Sequence, residues 1–246
     1  MVLGTRVEEF FAMSFYRKNW YYLGGALFVA LAFFVGFWGN QIDPLRKTPL
    51  LSFMALLMHQ FEEYAIPGGF PAVFNIGWNH ETEAPDRYPL NRPTCVCVNT
   101  FLAYPFYILP IVFPKIIWLG LAQILFGMAG QLFVHGIVIN RKLHSYYNPG
   151  LAVTVLLHVP IGVYYIRYVY AHGLIKPWHW VAGILASGLA MVLVVGLPVR
   201  FLRDRNSPYP FDPDENGALP HQRKIEEAGS EIEVARASRC PTSGRT

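Results

Sequence analysis

Charge is scarce in this sequence. Only 15% of its 246 residues are charged, against about 25% in ordinary soluble domains, while 53% are hydrophobic and 15% aromatic. Such a deficit excludes a conventional hydrated surface and argues for a chain that lies in lipid. Cysteine is scarce too. Cys95, Cys97 and Cys240 are too few and too uneven for a disulfide framework, and Cys-x-Cys is not the Cys-x-x-Cys spacing of zinc or redox sites. The net charge of +4 rests on basic residues that flank apolar runs, which reads as membrane orientation and not as a nucleic-acid partner. There is no internal repeat and no His-Glu-x-x-His, so peptide hydrolysis by the zinc-protease route has no support. The first nineteen residues also lack the apolar core and small-residue cleavage site of a removable signal, so the first apolar run is expected to remain as an anchor.

What the sequence does contain is a series of apolar runs near the length of about 20 residues needed to cross a bilayer. They predict six transmembrane helices, over about 21–38, 48–66, 94–113, 116–139, 151–170 and 178–199. The fold class is therefore an all-α, polytopic membrane helical bundle. Residues 1–19 read as an interfacial segment entering through an aromatic belt at Trp20, Tyr21 and Tyr22, residues 20–203 as the membrane domain, and residues 204–246 as a disordered cytoplasmic tail. The sixth span carries no aspartate, glutamate, lysine or arginine and reads as scaffold. The long connection 68–93, with Asn75, Trp78, His80 and Glu81, is aromatic enough to fold over a site as a lid. Arg6, Arg17, Lys18, Arg87, Arg92, Arg141, Lys142, Arg200, Arg203 and Arg205 fall on one side of the spans, against Arg46, Lys47, Lys115 and Lys176 on the other. That bias places both termini in the cytoplasm.

One stretch does not belong in lipid. Met58-His59-Gln60-Phe61-Glu62-Glu63-Tyr64 closes the second span. Residues three and four apart share a helix face, so His59, Glu62 and Glu63 are expected on one stripe, with Gln60 and Phe61 pointing elsewhere. A charged side chain at the bilayer centre costs about 2.5–3.5 kcal/mol on insertion scales, so three ionisable groups together require partners, a metal or shared protons. The second and fourth spans run toward the cytoplasm, bringing Gln131 and His135, four apart, to the level of His59. His158 lies about 12 Å into the fifth span at 1.5 Å per residue, at a comparable depth.

His59-Gln60-Phe61-Glu62-Glu63-Tyr64, followed by Pro67-Gly68-Gly69-Phe70 and Asn75, resembles the signature of the HXXEE-domain family, and His135, Asn140 and Tyr147-Asn148-Pro149-Gly150 resemble its second block. The resemblance covers about residues 52–165. It implies an integral membrane protein with enzymatic, metal-dependent chemistry and no general assigned reaction.

Three chemistries are compatible with these residues. In the first, His59, Glu62, Glu63, His135 and His158 supply the imidazole and carboxylate set that suits Zn or Fe. His-x-x-Glu is the mirror order of the Glu-x-x-His elements of di-iron bundles. A membrane-embedded enzyme would then hydrolyse or oxidise a hydrophobic, lipid-like small molecule, with His59, Glu62, Glu63 and His135 as the catalytic set and Tyr64, Asn75, Gln131 and Asn140 binding substrate. In the second, the same cluster works without metal as the acid–base pair of an isomerase or cyclase of a terpenoid or sterol-like lipid, and Tyr64, Phe70, Phe74, Trp78, Tyr104 and Tyr107 stabilise cations. The third is a proton-coupled transporter. The expected partners are a hydrophobic substrate and membrane lipids, and no nucleic acid. The cavity is expected between the second, third, fourth and fifth spans, open to the cytoplasm.

Overall fold

The computed structural model describes residues 2–213 and 215, with side chains from Met13 onward. Its elements are helical throughout, with no strand among the described residues. Helix α1 runs from Val2 to Trp38 and α2 from Pro44 to Tyr64. A short helix, α3, begins at Phe70–Ala72 and continues as a π-helical turn over Val73–Trp78. Four long helices follow: α4 (Arg92–Val112), α5 (Ile117–Leu143), α6 (Leu151–Ala171) and α7 (Pro177–Leu202). The protein is a multi-pass membrane protein. Five of its helices are long and apolar enough to cross a membrane: α1 from Met13, and α4 to α7.

The helix that falls short of that criterion is α2, and it is the one the bundle encloses. Most of its residues are buried, among them Thr48, Ser52, His59, Gln60, Glu62 and Glu63. A helix wrapped by neighbours does not meet lipid, so it can carry polar groups that an outer helix cannot. Local signals set its ends. Asp43 accepts a hydrogen bond from the Leu45 N–H at 2.7 Å as N-cap and Pro44 stands at the first helical position. At the other end Gly68 N–H donates to Glu62 O, and Gly68 and Gly69 take left-handed φ values of 73° and 90°.

Several expectations change here. The segment 1–19 is not a separate interfacial helix, because α1 continues through it without a break. Trp20 and Tyr21 do not form a lipid-facing belt; both are buried, with ring centroids 4.9 and 5.8 Å from that of Tyr64, and Tyr22 alone of the three is exposed. The expected tail starts later than Asp204. Phe211 is buried against Trp20, Tyr21 and Leu90, and the buried Arg92 guanidinium donates to Asp212 Oδ2 at 2.8 Å, to the Pro210 carbonyl at 2.6 Å and to Glu215. The remainder of the expected tail lies outside the described residues.

Regular α-helix gives way to π-helix at Cys97–Leu102 in α4, Phe126–Gly130 and Leu132–Ile139 in α5, Thr154–His158 in α6 and Met191–Gly196 in α7. Single π turns often mark functional sites, since the wider ring re-aims side chains and frees carbonyls. In this bundle those of α4, α5 and α7 contribute to the lining of one cavity, and that of α6 stands behind it.

Candidate metal centre and its cavity

His59 and Glu63 are one turn apart on α2, and His135 faces them from the π-helical segment of α5. Glu63 Oε1 lies 3.5 Å from His59 Nε2 and 3.5 Å from His135 Nε2, and the two imidazole rings meet edge to face with centroids 4.8 Å apart. One ligand atom from each residue falls within 4.8 Å of the other two, and all three side chains are buried.

The hydrogen bonds behind the rings fix their tautomers. Asn148 Nδ2 donates to His135 O at 2.8 Å and to Asn140 Oδ1 at 2.7 Å. Its Oδ1 therefore faces His135 Nδ1, 2.6 Å away, and an amide oxygen only accepts. The proton of His135 is on Nδ1. Thr154 donates its single hydroxyl hydrogen to Gly150 O at 2.7 Å, so its oxygen accepts from His59 Nδ1 at 3.3 Å. Both Nε2 atoms consequently present lone pairs to the same carboxylate oxygen. With both imidazoles neutral, three acceptors converge with no donor between them, an arrangement that a cation, or a proton on Glu63 or on one Nε2, completes. Outer partners that hold the far ring nitrogen are the usual support of metal-ligating histidines.

Gly150 makes the close approach possible. Its φ is +100°, and a Cβ there would stand 2.6 Å from His135 Cε1 and 2.8 Å from His59 Cε1. Neither the glycine nor Thr154 figured among the expected site residues. Gly150 was signalled by the turn Asn148-Pro149-Gly150 ahead of a helix and by its place in the second block of the resemblance; Thr154 had no signal of its own.

The other two expected ligands do not join the trio. Glu62 does not share the Glu63 stripe: Oε1 accepts from Tyr147 Oη–H at 2.9 Å and Ala152 N–H at 3.0 Å, and Oε2 from Val153 N–H at 2.7 Å. It caps the start of α6 from another helix, where a negative charge is also favoured by the helix dipole. Burial and the hydrogen bond to the Glu62 carboxylate raise the Tyr147 phenol, which stays a donor. His158 stays outside the trio, with its ring centroid 5.8 Å from that of His59 and its buried Nε2 without a hydrogen-bond partner among the described residues.

Of the expected substrate-binding residues, Tyr64 and Gln131 line a cavity of about 130 Å³ that opens beside the trio. Asn75 and Asn140 do not. Asn75 is fully buried and spends its amide on Pro85 O, Leu90 O and Leu90 N–H, which pins the 68–93 connection in place. Asn140 stands behind Asn148. Phe70, Phe74 and Trp78 of α3 form the aromatic wall, with Leu90 beside them, so the connection closes the cavity as a folded helix; His80 is exposed at its far end. Tyr104 and Tyr107 are not part of the lining. The expected walls also change. The fifth span, α6, supports the histidines from behind, whereas the supposed scaffold α7 contributes Met191, Val194, Val195 and Val199. The stretch of α7 that lines the apolar chamber is itself uncharged.

No curated protein and no solved structure matches the chain. Residues 50–165 match a family model described as protein of unknown function with HXXEE motif. That range holds His59, Glu62 and Glu63 of the motif, together with His135, Asn148, Gly150 and Thr154, and over it the chain is similar to the HXXEE-motif family.

Proposed function

We propose that the protein is a membrane-embedded metalloenzyme acting on a hydrophobic, lipid-like small molecule, with His59, Glu63 and His135 as the metal ligands. The observation that carries this reading is the convergence of two imidazole lone pairs and a carboxylate with both imidazole protons committed elsewhere. Two histidines and one carboxylate suit a catalytic zinc with an open fourth position, or iron in the two-histidine, one-carboxylate arrangement. When bound, such a metal supplies an activated water for hydrolysis or a site for oxidation.

The chain's own residues do the rest. Asn148 and Thr154 hold the rings, Gly150 admits them, and Phe70, Phe74, Trp78 and Leu90 keep water from the chamber. Beyond the trio, Tyr64, Asn99 and Gln131 offer polar contacts in a lining that is otherwise apolar. With both termini cytoplasmic, as the basic residues favour, the trio lies in the cytoplasmic half of the bundle, near the end of α2.

A second reading uses the same trio as an acid–base set for isomerisation or cyclisation, and the aromatic side chains of Tyr64, Phe70, Phe74, Trp78 and Phe126 on the cavity wall are what favour it. Elemental analysis of detergent-purified protein separates the two. About one equivalent of zinc or iron in the wild type, lost in His59→Ala, supports the metalloenzyme. A folded wild type prepared without chelator and free of both metals refutes it and leaves the acid–base reading.

A further inference from the structure

The cavity beside the trio does not end at α5 and α7. A second, wider cleft of about 530 Å³ runs between these helices and shares Phe74, Trp78, Val134, Met191, Val195 and Val199 with the inner chamber. Its outer rim is Phe133, Gly188 and Gly196, all exposed on the face of α5 and α7 that turns to lipid. Gly188 lies near the middle of α7, and Gly196 two turns closer to the level of the trio. The cleft therefore joins the middle of the bilayer to the polar centre by a continuous apolar path.

Resting on the metalloenzyme reading, we infer that this cleft is a lateral entrance that holds the hydrocarbon chain of a single-chain, uncharged membrane lipid, with its polar end at His59, Glu63 and His135. Three observations select that occupant. The cleft is continuous with the chamber, so its contents reach the trio. No lysine or arginine lines either space, so a phosphate headgroup would enter without a counter-charge. And the inner chamber is narrow, about 130 Å³ against about 530 Å³ outside, which admits one end of a slender molecule and not two chains abreast.

Gly188 offers a clean obstruction. A Cβ there meets nothing within 4 Å, so a large side chain can occupy the cleft without displacing the bundle or touching the trio. At Gly196 the nearest atom to a Cβ is Met191 O at 3.8 Å, which makes it the second position.

The test is photolabelling in lipid nanodiscs with hexadecanol carrying a mid-chain diazirine and a terminal alkyne, beside a phosphatidylcholine bearing the same diazirine, with labelled peptides mapped by mass spectrometry. The shallow groove on α1 lined by Phe28, Phe33 and Phe37, which shares no residue with the chamber, is the internal control. The expected result is alcohol labelling concentrated on 126–134 and 187–199, competed by unlabelled hexadecanol and reduced about tenfold in Gly188→Trp or Gly196→Phe, whichever folds. Equal labelling of the α1 groove, indifference to both substitutions, or equal labelling of the cleft by the phospholipid overturns the inference. Metal content is read on the same samples. Bound metal with diffuse labelling removes the entrance alone, and focused labelling without metal removes the metalloenzyme while the entrance stands.

Discussion

Two polar clusters in this protein are balanced in opposite ways. Where the chain folds back after α7, charge meets opposite charge: Arg92 reaches Asp212 and Glu215, Arg205 reaches Glu81 at 2.7 Å and Glu83 at 3.0 Å, and Lys18 reaches Asp212 at 3.2 Å. At the centre of the bundle, two imidazole nitrogens and a carboxylate oxygen meet with no donor among them. The first cluster is complete as it stands and fastens the chain end to α1, α4 and the 68–93 connection. The second is not, and a buried acceptor left without a partner costs about 1–3 kcal/mol. The same contrast separates two consecutive residues. Glu62 accepts three hydrogen bonds and organises α6; Glu63 accepts none in the same sense and faces the histidines.

The change that would break this contrast most severely is Gly150→Ala. It forces a left-handed backbone on alanine and drives a methyl group into both imidazoles, so metal binding and about 2–3 kcal/mol of stability are expected to go together, as read by metal content and thermal unfolding in detergent. Glu63→Gln sharpens the comparison. It is expected to lose metal and activity yet to match or exceed the wild type in thermal stability when both are stripped with chelator, because its amide N–H can donate to an imidazole lone pair. A clear destabilisation of the stripped variant would mean that Glu63 already has a satisfied structural role.

Asn148→Ala tests the support behind His135 and is expected to weaken metal binding about 10–100-fold, measured by competition with a chelating dye. Glu62→Gln is its counterpart in the saturated class. Metal content should be unchanged, and the loss of one acceptor and of the charge at the start of α6 should cost about 1 kcal/mol. Full loss of metal in Glu62→Gln with a folded protein would return Glu62 to the ligand set.

The smallest effect is expected at the chain end. Desolvation raises the Glu81 carboxyl, but hydrogen bonds from the Glu83 and Ala84 N–H groups and from Arg205 outweigh it and hold the group below its ordinary range. A depressed carboxyl contributes stability that is present above the unfolded-state value and is lost as pH falls through the folded-state one. Amide protection factors of residues 203–212, in which the intrinsic pH dependence of exchange is divided out, should therefore fall in acid below the usual carboxylate range and stay level above it, and Arg205→Ala should flatten this dependence.

Much of the architecture was legible from the residues. Long uncharged runs can do little but cross lipid, so the helical class, the membrane setting and the approximate spans follow from hydropathy. The HXXEE motif and the later His135 block likewise picked out both arms of the centre. Periodicity alone could not separate Glu62 from Glu63, since positions i+3 and i+4 share a face within the tolerance of such an argument. Nor could it assign Asn75 and Asn140, because a buried amide holding backbone and one touching a ligand look alike in sequence. The lining role of α7 was hidden for a related reason: its stretch from Met191 to Val199 is apolar on every face and carries no signal that one face meets a chamber.

By itself, then, the sequence determined that this chain crosses a membrane several times and concentrates its rare ionisable groups at one level. Those properties depend on composition and local spacing, which are written residue by residue. Only the tertiary structure decided which of those groups meet. The direction of a lone pair at His59 or His135 depends on Thr154 and Asn148, far along the chain, and the space for both rings depends on a backbone angle at Gly150. Nor does the sequence announce the π-helical segment Leu132–Ile139 that carries His135, or the π-helical stretches of α4 and α7 that contribute to the cavity lining, because a widened turn has no period of its own in the residue pattern.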